Sequence, residues 1–442
     1  QVAGKRNGRI VDRNLGKSLG EINNSVQFAK TRDAASSYAG LALIPIAFIS
    51  PWLCVILLLL LVKDQRHPVV DALILATSAA VAVYGMQFAP DNDIVRHVAL
   101  LPSYASVPFY QCFGVGHYGN LFVWDIWCWL VAKTGNVQLL QSSAAFVGYL
   151  AIGYIVFDGC ARRKMTSAQT SCALLIAICS VPILPLVSGI RSSISVLICA
   201  LSFYLYAYNF LRWWLSIAIM ILAAMIHPVA LFPIGFAVAA MCLKSSKRPF
   251  LHITVCFAIV LSIGIIGSLI LPILPTSTPV GNYLSQAVTS LLSYQEGNSW
   301  TQAQSASFNS RVNALFNIIA AFVSLAASSL MLKNSAIKSP AYQESLFISF
   351  AAAGSLALLI VLPVNGARFL PVVFALAASN IVVAVRDIRR TSKNRYFVMK
   401  AFMFLLMMAG LLLHIYSVAY SMTDASAAIA TLVCGVLGTY LY

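Results

Sequence analysis

Long stretches without a charged residue constrain this chain more than any other feature of its sequence. No Asp, Glu, Lys or Arg occurs in residues 34–62, 72–90, 134–157, 165–190, 192–211, 213–243, 249–295, 312–332, 345–367, 369–385, 401–423 and 425–442. The two longest stretches must each contain a turn or a loop. A strand-like alternation is absent, and a chain in lipid must satisfy its backbone polar groups internally. Since a helix needs about 20 apolar residues to cross a bilayer, the sequence predicts an all-α, polytopic integral membrane protein with roughly twelve transmembrane helices.

The composition favours the same fold class. The chain is 60% hydrophobic and only 10% charged, whereas soluble proteins carry about 25% charged residues. Its net charge of +16 comes from short basic clusters between apolar stretches, not from a basic stripe with interleaved aromatic residues, which excludes a nucleic-acid-binding protein. We therefore expect a single polytopic membrane domain at 39–442 behind a polar, basic tail at 1–38.

The positions of the basic clusters predict the orientation in the membrane. The clusters are Lys63 and Arg66, residues 162–164, Arg212, residues 244–248, Lys333 and Lys338, and residues 386–400. Because basic residues concentrate in cytoplasmic loops, we place these clusters inside and predict two long external loops, at about 89–136 and 273–310. The tryptophans of an amphipathic piece at 121–131 would suit the membrane interface. The side of the basic tail stays open, because the span count favours the outside and its charge favours the inside.

Three arginines on the expected external side are candidate phosphate-binding residues. Arg191 and Arg368 lie at the outer edges of predicted spans, and Arg311 lies where the second external segment re-enters the membrane. A guanidinium group binds phosphate oxygens through two parallel hydrogen bonds. Three such groups around one external opening would hold a pyrophosphate. The alternative is that each arginine only extends from a helix end to the lipid headgroups.

Two carboxylates and one histidine are candidates for acid–base chemistry. Asp91 and Asp93 lie in a turn, where they could position a sugar hydroxyl, act as a base or hold a divalent cation; helix capping is the simpler alternative. His227 lies between apolar stretches, and a helical hairpin that begins at Arg191 returns it close to the outer side. A histidine there can accept a proton from a hydroxyl, unless it is only a hydrogen-bonded packing residue.

The order of these features resembles the EpsG/Wzy-like family of bacterial polysaccharide polymerases, which make O-antigen and exopolysaccharide, over roughly residues 60–390. An external Asp-x-Asp turn comes first. A Gly-Ile-Arg191 sequence then leads a span with Arg212 at its inner end, and Ile-His227-Pro228 follows at the outer end of the next span. The chain differs from the family pattern in Pro228, where a small polar residue is common, and in Asp-Asn-Asp, where a glycine often precedes the first aspartate.

The resemblance implies a fold similar to the multi-span, GT-C-like glycosyltransferases of the bacterial cytoplasmic (inner) membrane, with an active site facing the periplasm. Such a polymerase transfers a glycan chain from undecaprenyl pyrophosphate to the non-reducing end of a lipid-linked repeat unit, during exopolysaccharide or lipopolysaccharide biosynthesis. Carried over to this chain, the three arginines would bind the departing pyrophosphate. His227 or one of the two aspartates would deprotonate the acceptor hydroxyl.

The resemblance also sets expectations for cofactors and partners. No cofactor is expected, apart from the divalent cation that the carboxylates could hold. The partners would be undecaprenyl-pyrophosphate-linked oligosaccharides, membrane lipids and a chain-length regulator protein. A transporter or flippase of lipid-linked glycans is the alternative function, because it too would bind phosphate. Transporters show internal repeats and broken helices near the bilayer midplane, whereas the candidate residues here gather at one face.

Overall fold

A computed structural model of the protein describes residues 41–61, 67–90, 92–116, 121–181, 186–187, 189–295, 308–421, 426, 429–430 and 433–434. The basic tail predicted at 1–38 lies outside these residues. Within the described ranges the chain forms helices joined by short connections and no strand, so the prediction of an all-α protein is confirmed.

The helices follow one another along the chain with few long connections. The first are α1 (Leu43–Ile49), α2 (Pro51–Leu61), α3 (Pro68–Tyr84), α4 (Asp93–Ser106), α5 (Phe122–Lys133), α6 (Gln138–Arg162) and α7 (Ser167–Ser180). The next are α8 (Ile190–Ala207), α9 (Trp213–Ala224), α10 (Leu231–Leu243), α11 (Pro249–Leu261), α12 (Ile263–Ile270) and α13 (Pro279–Gln295). The last are α14 (Phe308–Asn334), α15 (Pro340–Val361), α16 (Pro363–Leu376), α17 (Ala378–Thr391) and α18 (Lys393–Ser421). Short 3-10 helices lie at Phe109–Gln111, Pro228–Ala230 and Leu271–Ile273.

The described part of the chain contains fewer helices that could span a membrane than the sequence predicts. Five helices of the described chain are long and apolar enough to cross a membrane, or six if a bent pair at 249–273 forms one span. These five are Gln138–Arg162, Ile190–Ala207, Val312–Asn334, Pro340–Val361 and Lys393–Leu413. The chain is therefore a helical membrane protein, but the prediction of about twelve spans is wrong.

The reason is that absence of charge does not guarantee an unbroken helix. The stretch at 34–62 divides at Ser50, and the stretch at 213–243 divides at His227 and Pro228. The helices α11 and α12 meet at Ser262 with a bend of 59°. Proline lacks an N–H donor and its ring clashes with the preceding turn, and serine offers the backbone competing hydrogen bonds. Each break leaves helices shorter than the bilayer requires.

A large apolar core holds the bundle together. The helix α6 packs along α3 and against α8, while α15 packs against α11, α14 and α16. At Gly153 of α6, an added Cβ would lie only 3.2 Å from the Cα of Ala72 in α3. Small residues let helix backbones approach closely, which strengthens van der Waals packing between membrane helices. The glycine therefore sets the short distance between α3 and α6.

A second, smaller apolar core lies where α4 and α5, which we call the cap, cover one end of the bundle. Its buried side chains are Ile94, Leu101, Tyr104, Cys112, Leu121, Trp124, Cys128, Val131, Ala132, Leu140, Ala144, Ile190, Ile194, Ile226 and Tyr283. The amphipathic piece predicted at 121–131 forms most of α5. The interfacial role predicted for its tryptophans is wrong for Trp124, which is only 1% exposed, because the indole fills the space between the cap and the first turns of α6 and α8.

Candidate functional site

Arg191 lies in the first turn of α8, directly beneath the cap. The residue is only 7% exposed, and its guanidinium carbon lies 5.7 Å from the centroid of the Trp124 ring. A guanidinium over an indole face is attracted by the electron density of the ring. The burial does not fit the alternative that Arg191 only extends to lipid headgroups. The structure instead places a permanently charged group at the junction of the cap and the bundle.

His97 of α4 contacts the same indole. Its ring meets Trp124 edge-on, with 4.9 Å between the ring centroids, and its Nε2 atom lies 3.8 Å from Asp93 Oδ2. Burial lowers the pKa of His97 to about 4, and the positive charge of Arg191 acts in the same direction, although Asp93 opposes it. His97 is therefore neutral at pH 7.

These contacts connect a predicted site residue to Arg191. Asp93 forms an ion pair with Arg96 one turn further along α4, and through His97 it joins Trp124 and Arg191. We call this set the Arg191 cluster: Asp93, His97, Trp124, Asp125 and Arg191. His97 is not among the site residues predicted from the sequence, although its spacing of four residues from Asp93 on a helix is a usable signal.

Asp125 of α5 fixes the conformation of the cap around Arg191. Its Oδ1 atom accepts a hydrogen bond of 2.6 Å from the Tyr104 hydroxyl, and its Oδ2 atom accepts one of 3.0 Å from the N–H of Gly114. Burial raises the pKa of Asp125, while these two donors and the charge of Arg191 act in the opposite direction. Gly114 has φ +88°, a backbone conformation that favours glycine. The carboxylate thus ties together α4, α5 and their connection.

His227 caps the short 3-10 helix at Pro228–Ala230 and is half-buried. Its Nδ1 atom accepts a hydrogen bond of 3.1 Å from the N–H of Val229. A backbone N–H can only donate, so in the neutral ring the proton is on Nε2. In the neutral ring Nε2 is therefore a hydrogen-bond donor and not a proton acceptor.

The turn before His227 lies against the cap. The N–H of Trp124 donates to the carbonyl oxygen of Met225 over 3.4 Å, and the hydroxyl of Tyr283 in α13 donates to the carbonyl oxygen of Ala224 over 2.8 Å. The 3-10 helix after His227 packs against α8. His227 and the Arg191 cluster therefore lie at the same end of the bundle.

The remaining predicted site residues are placed only in part. Asp91 lies outside the described residues. Arg311 lies in the first turn of α14 and Arg368 in the second turn of α16, but their side chains are not among those described. Their position relative to Arg191 stays a prediction. Within the described chain, no group of three or more His, Cys, Asp and Glu side chains is arranged to hold a metal ion.

The opposite end of α8 carries a buried polar network of a different kind. Arg163 and Glu344 form an ion pair of 2.7 Å, and the Tyr208 hydroxyl donates to the same carboxylate over 2.7 Å. Arg163 also donates to Asn380 Oδ1 over 2.7 Å. These contacts join the ends of α6, α8, α15 and α17. The positive charge of Arg163 is paired with the carboxylate of Glu344. We assign it a structural role.

The Arg191 cluster and His227 combine a fixed positive charge, a carboxylate at its edge and a hydrogen-bond donor. Such a set can bind an anion and orient a hydroxyl group. No protein-family model, curated protein or solved structure matches the chain.

Proposed function

We propose that the protein is a membrane polysaccharide polymerase, a glycosyltransferase that moves a glycan chain from undecaprenyl pyrophosphate to the non-reducing end of a lipid-linked repeat unit. The observation that carries the proposal is the position of Arg191, a buried guanidinium in the first turn of α8. The proposal places the protein in the bacterial inner membrane with the cap on the periplasmic side. Its partners are lipid-linked oligosaccharides and a chain-length regulator protein.

Arg191 has the chemistry to stabilise a departing pyrophosphate. The N-terminus of a helix carries a partial positive charge and attracts anions, and the guanidinium adds a full charge at the same point. In many enzymes, fixed cations that face developing negative charge supply most of the rate enhancement. In the proposal, Arg368 and Arg311 contribute further guanidinium groups to the same pyrophosphate.

In the proposed mechanism, His227 and an aspartate have different roles toward the acceptor hydroxyl. The proton on His227 Nε2 suits a hydrogen bond to the acceptor oxygen. That role leaves the removal of the hydroxyl proton to Asp93 or Asp91. The acceptor oxygen then forms a bond to the anomeric carbon of the donor, the bond from that carbon to the pyrophosphate oxygen breaks, and the carboxylate keeps the proton. The activated donor supplies the energy, so no nucleotide is needed.

The test is polymerisation by the purified protein with one defined lipid-linked repeat unit as substrate. We expect long glycan chains with the wild-type protein and single repeat units with Arg191→Ala. Lys393→Ala is the control of matched charge, because this exposed residue begins α18, away from the cap. Wild-type chain lengths with Arg191→Ala at an equal protein level would contradict the proposal.

One observation favours the alternative of a transporter or flippase for lipid-linked glycans. The bent pair of α11 and α12, with its angle of 59°, resembles the broken helices around which transporters build their sites. The two functions differ in their product. Proteoliposomes loaded with a single lipid-linked repeat unit would show its movement between leaflets without chain growth if the protein is a flippase, and chain growth if it is a polymerase.

A further inference from the structure

A pocket of about 700 Å³ opens at the end of the bundle opposite Arg191. It lies between two connections, the one from α10 to α11 and the one from α14 to α15. The Tyr342 hydroxyl donates to the carbonyl oxygen of Ser246 over 2.7 Å and joins the two connections. Lys244 Nζ donates to the Tyr206 hydroxyl over 3.2 Å, which fixes the pocket to the C-terminal end of α8.

The charges around this pocket all have the same sign. Lys247, Arg248 and Lys333 line it, all three are exposed, and none forms an ion pair with a carboxylate of the described chain. The first turn of α11 also faces the pocket through Phe250 and Leu251, and a helix N-terminus favours negative charge. The pocket is therefore suited to an anion.

The apolar side chains of the pocket indicate what carries that anion. Phe250, Leu251 and Ile337 line the pocket and are exposed. From Leu251 an exposed apolar stripe continues along α11 through Val255 and Ile259. Residues four apart lie on the same face of a helix, so the stripe begins at the pocket and runs along the length of α11. A free phosphate ion would use the cations but not the stripe.

We infer that this pocket binds the headgroup of an anionic phospholipid whose acyl chains lie along the Leu251–Val255–Ile259 face of α11. Basic pockets between membrane helices bind acidic headgroups in this way, and the volume falls within the common range of small-molecule sites, about 300–1,000 Å³. The inference does not depend on the proposed polymerase activity.

Native mass spectrometry of the delipidated protein tests the inference. The protein is titrated in detergent with dioleoyl-phosphatidylglycerol and, separately, with dioleoyl-phosphatidylcholine. We expect one phosphatidylglycerol to bind in preference to phosphatidylcholine. In the variant with Lys247→Gln, Arg248→Gln and Lys333→Gln, the affinity for phosphatidylglycerol should fall by about fivefold for each cation removed. Equal affinity of this variant and the wild-type protein would overturn the inference.

Two further variants and one competitor separate the pocket from general surface charge. The variant with Lys393→Gln, Arg395→Gln and Lys400→Gln removes the same charge from exposed positions in α18 and should keep full affinity. The charge-preserving variant with Lys247→Arg and Lys333→Arg should also bind normally. An equal loss of affinity in the α18 variant would overturn the inference. Displacement of the lipid by millimolar inorganic phosphate would overturn it too, since it would make a soluble anion the ligand.

Discussion

The guanidinium of Arg191 lies over the ring of Trp124 at 5.7 Å from the ring centroid. Trp124 comes from α5 in the cap and Arg191 from α8 in the bundle, so this contact fixes the charged group relative to both parts of the protein. Because His97 contacts the same indole, one aromatic side chain positions both a cation and a neutral imidazole. The proposed pyrophosphate site therefore depends on Trp124 as well as on Arg191.

Arg191→Lys should reduce the initial rate of repeat-unit consumption by about 10²-fold, the usual cost of removing one stabilising donor from a transition state. Lysine keeps the charge but cannot stack as a plane on Trp124 or form two parallel hydrogen bonds to phosphate. The measurement is the rate with the purified protein and a saturating lipid-linked repeat. An unchanged rate would mean that charge alone is required at this position.

His227→Gln and His227→Asn should have different activities. Glutamine can place an amide donor near the position of the histidine Nε2 atom, so we expect a rate within about tenfold of wild type. Asparagine can accept the Val229 hydrogen bond but does not reach as far, and we expect a loss of about 10²-fold or more. Equal, severe loss in both variants would instead identify His227 as the base.

The stability of the cap should fall as the pH decreases from about 6.5 to 4. In the fold the pKa of His97 is about 4, below its ordinary value of 6.5, so folding favours the neutral ring. This contribution is complete above pH 6.5 and is lost as the pH falls through the range down to 4. The contribution of His97 to the free energy of unfolding is about 3 kcal/mol, because a difference of one pKa unit corresponds to about 1.36 kcal/mol.

Thermal unfolding of the wild-type protein and of His97→Asn over pH 8–4.5 checks this prediction. Asp93, Arg96 and Arg191 are the charged groups that act on His97, and all three are retained in the variant. The difference between the two proteins therefore isolates the histidine. Parallel pH profiles would show that His97 does not titrate in this way.

Breaking the buried ion pair at the other end of α8 should destabilise the protein strongly. In Glu344→Gln the charge of Arg163 is left without its carboxylate in a buried position, which typically costs about 3–5 kcal/mol. The double variant with Arg163→Met and Glu344→Leu removes both charges and should be much closer to wild type. Unfolding midpoints in detergent, compared for the three proteins, measure the difference.

Labelling of introduced cysteines should place the cap and the lipid pocket on opposite sides of the membrane. Arg96→Cys in α4 and Lys333→Cys at the end of α14 are both exposed positions. The exposed native Cys242 is replaced by serine in both proteins. We expect a membrane-impermeant thiol reagent to label position 96 from the periplasm. Position 333 should be labelled only after the membrane has been permeabilised. Labelling of both positions from one side would contradict the placement of the cap and the lipid pocket on opposite sides of the membrane.

The sequence predicts the fold class and one part of the site. Absence of charge over long stretches is enough to predict membrane helices, but the breaks at Ser50, Pro228 and Ser262 depend on local backbone competition that hydropathy does not measure. The lengths of the two predicted helices between Arg191 and His227 correctly place both residues at the same end of the bundle, because the rise per residue of a helix is constant. His97 and Asp125 escape detection because their roles arise from burial beneath the cap, which joins segments distant in sequence.

The apolar core of the cap also has a consequence for synthesis of the protein. Trp124 and Tyr104 leave the ribosome early, but Ile226 and Tyr283, which complete their environment, follow much later in the chain. At about 5–20 residues per second, this delay is on the order of ten seconds. During that interval the nascent α4 and α5 present aromatic surface outside the membrane bundle. The cap therefore stays incomplete until Tyr283 has been made, and it is open to proteases and chaperones during that interval.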